Sequence, residues 1–122
     1  GILIAIALPA YQDYSIRTKN TECLNVGAAA KLAVADYRQS EGTFPTSNAL
    51  AGYVFSVTKY CQNIQIQASG AIRMTTQATG GNVVYTLTPA PGSGSSTGAV
   101  TWVCSSSVTV TNPGWVPKEC RN

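Results

Sequence analysis

Apolar residues dominate the start of the chain, and the pattern there is helical. Residues 1–8 include no charged and no polar side chain. Helix-forming residues resume directly after Pro9, so we expect this proline to kink a helix without ending it. Gly42, followed by Phe44 and Pro45, is the first strong stop signal. The pattern therefore predicts one helix over about the first forty residues.

The second half of this helix has one amphipathic stripe, which we expect to be buried. Small residues from Gly27 to Ala30 permit another element to approach the helix backbone closely. The stripe recurs near helical spacing and comprises Tyr14, Thr21, Leu24, Ala28, Leu32 and Ala35.

The length of the helix exceeds the size of its own domain. About forty residues make a helix of about 60 Å, whereas a compact domain of this size has a radius of gyration of about 14 Å. The apolar first half must therefore project, and it requires either a membrane or a subunit interface to cover it. Residues 1–8 alone are too short to cross a bilayer, and the chain shows no recognisable signal peptide.

After Gly52 the hydrophobic period changes from about four residues to two, which predicts short strands. We expect an antiparallel sheet with one face on the helix, a hairpin-like turn at Ser69 and Gly70, and residues 89–98 as a flexible surface loop. The alternating runs are Tyr53, Phe55 and Val57; Ile64, Ile66 and Ala68; Ile72, Arg73, Met74 and Thr75; Val83, Tyr85 and Leu87; and Val100, Trp102 and Cys104.

Composition and charge restrict the possible functions. The 122 residues suit one domain, charged residues make up 11%, and the net charge is +3. The basic residues do not cluster, so composition predicts no nucleic-acid groove and at most a weak affinity for anionic surfaces. The chain has no histidine, and its carboxylates are well separated, so we expect neither an enzyme nor a cofactor or metal site.

The four cysteines, Cys23, Cys61, Cys104 and Cys120, suit two disulfides and an oxidising compartment. Adjacent pairing, Cys23 with Cys61 and Cys104 with Cys120, is preferred because it closes two independent loops. The other two pairings stay open. A zinc site made from all four thiolates is the rival, but the chain has no C-x2-C pair.

The aromatic residues at alternating strand positions are interpreted as core. Trp115 differs because it lies in the irregular tail beside Pro113, Gly114 and Pro117. It is either an exposed contact residue or the side chain that fills the loop.

Both ends of the chain resemble one family. Residues 1–14, GILIAIALPAYQDY, resemble the second half of the N-terminal segment of type IV pilins, particularly the type IVa kind. Residues 100–104, VTWVC, and 115–121, WVPKECR, resemble that family's last strand and disulfide-bounded C-terminal loop. The resemblance implies an α+β fold, in which a long N-terminal α-helix packs on a four-stranded antiparallel β-sheet. Residues 1–22 would be a projecting half-helix, residues 23–122 the globular head, and residues 104–120 the disulfide loop.

The resemblance also implies a function: a structural subunit that polymerises into a pilus for adhesion, twitching motility or DNA uptake. The half-helix would anchor the subunit in the inner membrane, as a single pass, before assembly. It would then bundle with other pilin subunits in an extracellular filament. Assembly residues would be Ile2, Leu3, Ile4, Ile6, Leu8 and Pro9, and residues that contact a host or abiotic surface would be Trp115, Lys118 and Arg121.

The family's opening methylated phenylalanine and glutamate have no counterpart here, so we expect Gly1 to be an internal residue of the mature subunit. Three alternatives remain: a minor pilin, a type II secretion pseudopilin that primes a filament, and a DNA-binding subunit at a pilus tip. The pseudopilin is less favoured because the tail has no acidic cluster for calcium.

Overall fold

The computed structural model describes residues 2–90, 94, 99–107 and 112–121, with the backbone alone for residues 2–10. A long helical segment comes first, then a short helix, four strands and a C-terminal tail with two single turns of 3₁₀ helix. The elements are α1 (Ile2–Val26), α2 (Ala28–Glu41), α3 (Asn48–Ala51), β1 (Cys61–Ile66), β2 (Ile72–Thr76), β3 (Val84–Pro89) and β4 (Trp102–Ser106), and the tail turns are Pro113–Trp115 and Lys118–Cys120.

The predicted long helix is confirmed. The helix continues through Pro9, as predicted. At Gly27 it is barely interrupted, because the Gly27 N–H donates to the Cys23 carbonyl at 3.0 Å and the Gly27 carbonyl accepts from the Lys31 N–H at 3.1 Å. It ends at Gly42, whose φ of +76° is the left-handed conformation that a helix C-cap favours.

The predicted buried stripe on this helix is wrong in phase. Of its predicted members, Tyr14 is 61% and Leu32 62% exposed, and Ala28 is also exposed. The residues that this helix buries against the head lie about one position earlier along it. They are Asn20, Cys23, Gly27, Ala30 and Val34, all of them buried.

The size of the side chains determines which face of the helix packs on the sheet. A β-carbon on Gly27 would overlap the sulfur of Met74, a fully buried residue of β2. The helix therefore lies close to the sheet through its small residues, while larger apolar side chains point elsewhere. The apolar pattern of the sequence is dominated by the larger side chains, so it predicted that the neighbouring face of the helix would be buried.

The described strands form the four-stranded antiparallel sheet that the resemblance implied, in the order β1-β2-β3-β4. Alternate residues of each inner strand pack beneath the helix. Turns with positive φ at Ser69 and Gly70 join β1 to β2, as the Ser-Gly pair predicted. The sheet's core residues include Ile64, Ile66, Ile72, Met74, Tyr85 and Leu87.

One predicted strand does not form. Residues 53–57 have no strand conformation, although their alternation is partly real: Tyr53 and Phe55 pack against the core, whereas Val54 is 87% exposed. Val57, expected on the inner face, is 68% exposed. The segment is an extended loop that precedes β1. Most of the predicted flexible loop at 89–98 lies outside the described residues.

Candidate assembly and contact surfaces

The N-terminal end of α1 presents polar and aromatic side chains to solvent. Tyr11 is 68% and Tyr14 61% exposed, and Gln12 and Asp13 between them are also exposed. The predicted assembly residues Ile2, Leu3, Ile4, Ile6, Leu8 and Pro9 continue the same helical backbone, and their side chains are outside the described part. No helix in the described part of the chain is both long enough and apolar enough to cross a membrane.

Asn20 marks where the helix becomes buried against the head. Its side-chain amide donates to the Trp115 carbonyl at 2.8 Å, which ties α1 to the C-terminal loop. Its side-chain oxygen packs directly on Gly80, where any β-carbon would overlap it. Gly80 therefore cannot carry a side chain without displacing Asn20. Sequence reasoning missed this contact, because Asn20 belongs to the buried stripe only once the helix phase is known.

The disulfides have the preferred pairing. Cys23 is bonded to Cys61, and Cys104 to Cys120. The first bond joins α1 to the start of β1, and the second joins β4 to the last turn of the tail. None of the four thiols is free, so the zinc alternative is wrong.

The three predicted surface-contact residues have different environments. Lys118 and Arg121 are exposed, and the Arg121 Nε–H donates to the Val116 carbonyl at 3.3 Å. Trp115 is only partly exposed and packs against the core, with its ring 2.6 Å from where a β-carbon on Gly81 would lie. Trp115 therefore fills the C-terminal loop and holds it on the turn before β3. A contact role for the three stays a prediction.

A groove of about 580 Å³ lies between α1, α2, β4 and the C-terminal loop. Leu24, Leu87 and Trp102 supply apolar lining, with Lys31 and Glu119 as its charged groups. The Lys31 ammonium lies 5.9 Å from the centre of the Trp102 ring, within the range of a cation–π contact.

Two tyrosines of the head have pKa values that are shifted by burial. Burial raises the pKa of Tyr85, with a further contribution from the Glu119 carboxylate. Burial also raises the pKa of Tyr53. Both shifts keep a phenol neutral, which is the usual consequence of desolvation in a core. Within the described ranges, histidine, cysteine and acidic residues form no group of three or more able to hold a metal ion.

Comparisons with known proteins agree with this geometry. The family model of pilin, a bacterial filament protein, matches residues 16–121. The fimbrial protein EcpC of Eikenella corrodens is 37% identical over 127 aligned positions, which cover 100% of this chain and 81% of that protein. The type IV major pilin protein PilE1 of Neisseria gonorrhoeae is 31% identical, over 92% of this chain and 70% of its own length.

A shorter match is the fimbrial protein of Neisseria meningitidis serogroup A, serotype 4A, which is 39% identical over 55% of this chain and 41% of that protein. The family match covers most of the chain, and it includes the helix–sheet contact and both disulfides. The chain belongs to the pilin family of bacterial filament proteins.

Proposed function

We propose that this pilin is a structural subunit of a type IV pilus that polymerises through the N-terminal part of α1. The observation that carries the proposal is the distribution of burial along the helix. Among the side chains that the structure describes, Asn20 is the first that is fully buried, and Tyr11 to Tyr14 are exposed. Residues 2–10 continue the helix beyond Tyr11 and add about 14 Å to its length.

The apolar character of this end supports helix–helix packing between subunits. Residues 1–8 have no polar side chain, and an apolar helix outside a domain must be buried by something else. We propose two successive partners: the inner membrane before assembly, and the helices of other subunits in the extracellular filament. Ile2, Leu3, Ile4, Ile6, Leu8 and Pro9 would make those contacts.

The head supplies the surface of the filament in this proposal. Lys118 and Arg121 lie on an exposed loop. The Cys104–Cys120 bond and the packing of the Trp115 ring against Gly81 hold this loop in place. A rigid, exposed loop suits contact with a surface, because little conformational entropy is lost on binding. Adhesion, twitching motility and DNA uptake are the activities proposed for such a filament.

The experiment is electron microscopy of cells that lack the gene, complemented with defined variants. We expect the deletion to remove the filaments and the wild-type chain to restore them. Ile4→Asp should fail to restore them, because a carboxylate in an apolar helix bundle is costly. Thr79→Asp, an exposed turn position in the head, is the matched control and should restore them.

Sparse but normal filaments in the deletion strain would instead assign the chain to a minor pilin. The proposal would be contradicted if the deletion strain had unchanged filaments and the filaments of the wild-type strain contained none of this chain.

A further inference from the structure

The face of the sheet that points away from the helix is mostly polar and nearly uncharged, with Val84 and Val103 as apolar members. Strand pairing places Gln65 opposite Arg73, Arg73 opposite Thr86, and Thr86 opposite Ser105. These residues alternate with the buried core positions and so share the outer face. Together they form a row across all four strands, which we call the Arg73 row.

Arg73 is the sole charged residue in the four strands. It is exposed, in the middle of β2. Its guanidinium has no hydrogen bond, ion pair or ring contact with any residue that the structure describes. Other arginines behave differently: Arg38 lies 4.8 Å from the centre of the Phe44 ring, and Arg17 lies 5.9 Å from that of Tyr14. As far as the described residues are concerned, the Arg73 guanidinium therefore keeps its full set of donors for a ligand.

The surroundings of Arg73 indicate the class of ligand. A guanidinium pairs with a carboxylate through two parallel hydrogen bonds. The neighbouring amide of Gln65 and hydroxyls of Thr75 and Thr86 donate and accept, which suits a ligand rich in hydroxyl groups. Directly paired residues have β-carbons about 5 Å apart, so one ligand can contact several members of the row.

A single cation is poorly suited to nucleic acid. DNA binding depends on neutralising many phosphates at once, and its affinity scales with the number of cations supplied. The outer face supplies one cation among neutral polar groups, which matches a ligand of low charge density. We propose that the Arg73 row binds acidic polysaccharides, with the Arg73 guanidinium paired to a uronate carboxylate and its neighbours bonded to sugar hydroxyls.

Repetition would make such a site effective, and this step rests on the proposed filament. A shallow site with one ion pair is weak in a single subunit. In a filament it recurs once per subunit, and linked sites raise avidity by about 10²–10⁴ over one site. The polysaccharide is itself a repeating polymer, so both partners are multivalent.

The test uses the monomeric full chain in mild detergent, with polygalacturonate as the probe and dextran as the neutral control. We expect binding to polygalacturonate alone. Arg73→Gln should weaken binding at least about tenfold, since a hydrogen bond to a charged group is lost. Arg73→Lys keeps the charge without the fork and should give an intermediate affinity. Lys59→Gln, which removes an exposed cation from the loop before β1, should bind as the wild type does.

Other results would overturn the inference. Unchanged binding by Arg73→Gln would do so, and equal loss in both glutamine variants would reduce the effect to general charge attraction. Arg73-dependent binding of duplex DNA without binding of polygalacturonate would replace the ligand class. Loss of filaments in Arg73→Gln, with no polysaccharide bound by the wild-type monomer, would make the row a contact between subunits. Because the assay uses monomers, it stands apart from whether the chain forms pili.

Discussion

Among the described residues, Tyr85 has the pKa that is shifted furthest from its ordinary value. It is fully buried on β3, and its hydroxyl has no hydrogen-bond partner within the described residues. Burial raises its pKa, and the Glu119 carboxylate adds to the shift. A buried hydroxyl without a partner lowers stability, because it loses its hydrogen bonds to water and gains none in return. We infer that the ring, rather than the hydroxyl, is what the core uses.

The raised pKa of Tyr85 predicts a loss of stability at alkaline pH. Above about pH 10 an unfolded tyrosine releases its proton, whereas the folded Tyr85 retains it. The unfolded state then binds fewer protons, so the free energy of unfolding falls as pH rises, by at most about 1.4 kcal/mol per pH unit for this group. Tyr85→Phe should remove that part of the loss, and at pH 7 it should be neutral or stabilising because it removes a buried hydroxyl without a partner. Urea unfolding at pH 7 to 11 measures both.

Tyr14→Phe is the matched control, because Tyr14 is 61% exposed and its replacement should leave the alkaline loss unchanged. Part of the loss will remain in Tyr85→Phe, since burial also raises the pKa of Tyr53. An alkaline loss of equal size in Tyr85→Phe and the wild type would contradict the assignment.

At the scale of the elements, the two disulfides close two separate loops of the chain. The Cys23–Cys61 bond spans a sequence separation of 38, and the Cys104–Cys120 bond one of 16. Loop-closure entropy gives about 4 kcal/mol for the first and about 3 kcal/mol for the second. We therefore expect the Cys23→Ala, Cys61→Ala double variant to lose more stability than Cys104→Ala, Cys120→Ala, in urea unfolding at pH 7.

The two variants should also differ in where the chain loosens. Without the Cys104–Cys120 bond, amide hydrogen exchange should speed up in the C-terminal tail and leave β1 and β2 protected. Without the Cys23–Cys61 bond it should speed up in α2, α3 and the loop before β1. Identical exchange patterns in both variants would show that the loops are not independent.

At this scale the sequence predicted the elements better than their contacts. The helix stop at Gly42 and the turn at Ser69 and Gly70 were found because local backbone chemistry determines them. The buried helix face was not, because close approach favoured Gly27 and Ala30 over the larger Leu32. Residues 53–57 alternate as a strand does, yet they pair with none of the strands that the structure describes. Pairing is a tertiary property that alternation alone cannot predict.

In the whole molecule, the helix lies on one face of the sheet and the Arg73 row on the other. Length alone indicated that the helix exceeds its domain, and the family resemblance supplied the reason. The contact surfaces were harder to predict. The sequence left two roles open for Trp115, and the structure places its ring against Gly81. The sequence did not single out Asn20 or Arg73, because their importance depends on contacts that they make or lack in the fold. Such contacts join residues far apart in sequence.

The most direct test of the proposed assembly is a cryo-electron microscopy map of filaments assembled from this chain. We predict that the N-terminal part of α1 lies in the filament core against the same segment of other subunits. We also predict that the outer sheet face, with Arg73, faces solvent. A map in which this helix lies on the filament surface, or in which subunits pack through the outer sheet face, would contradict it.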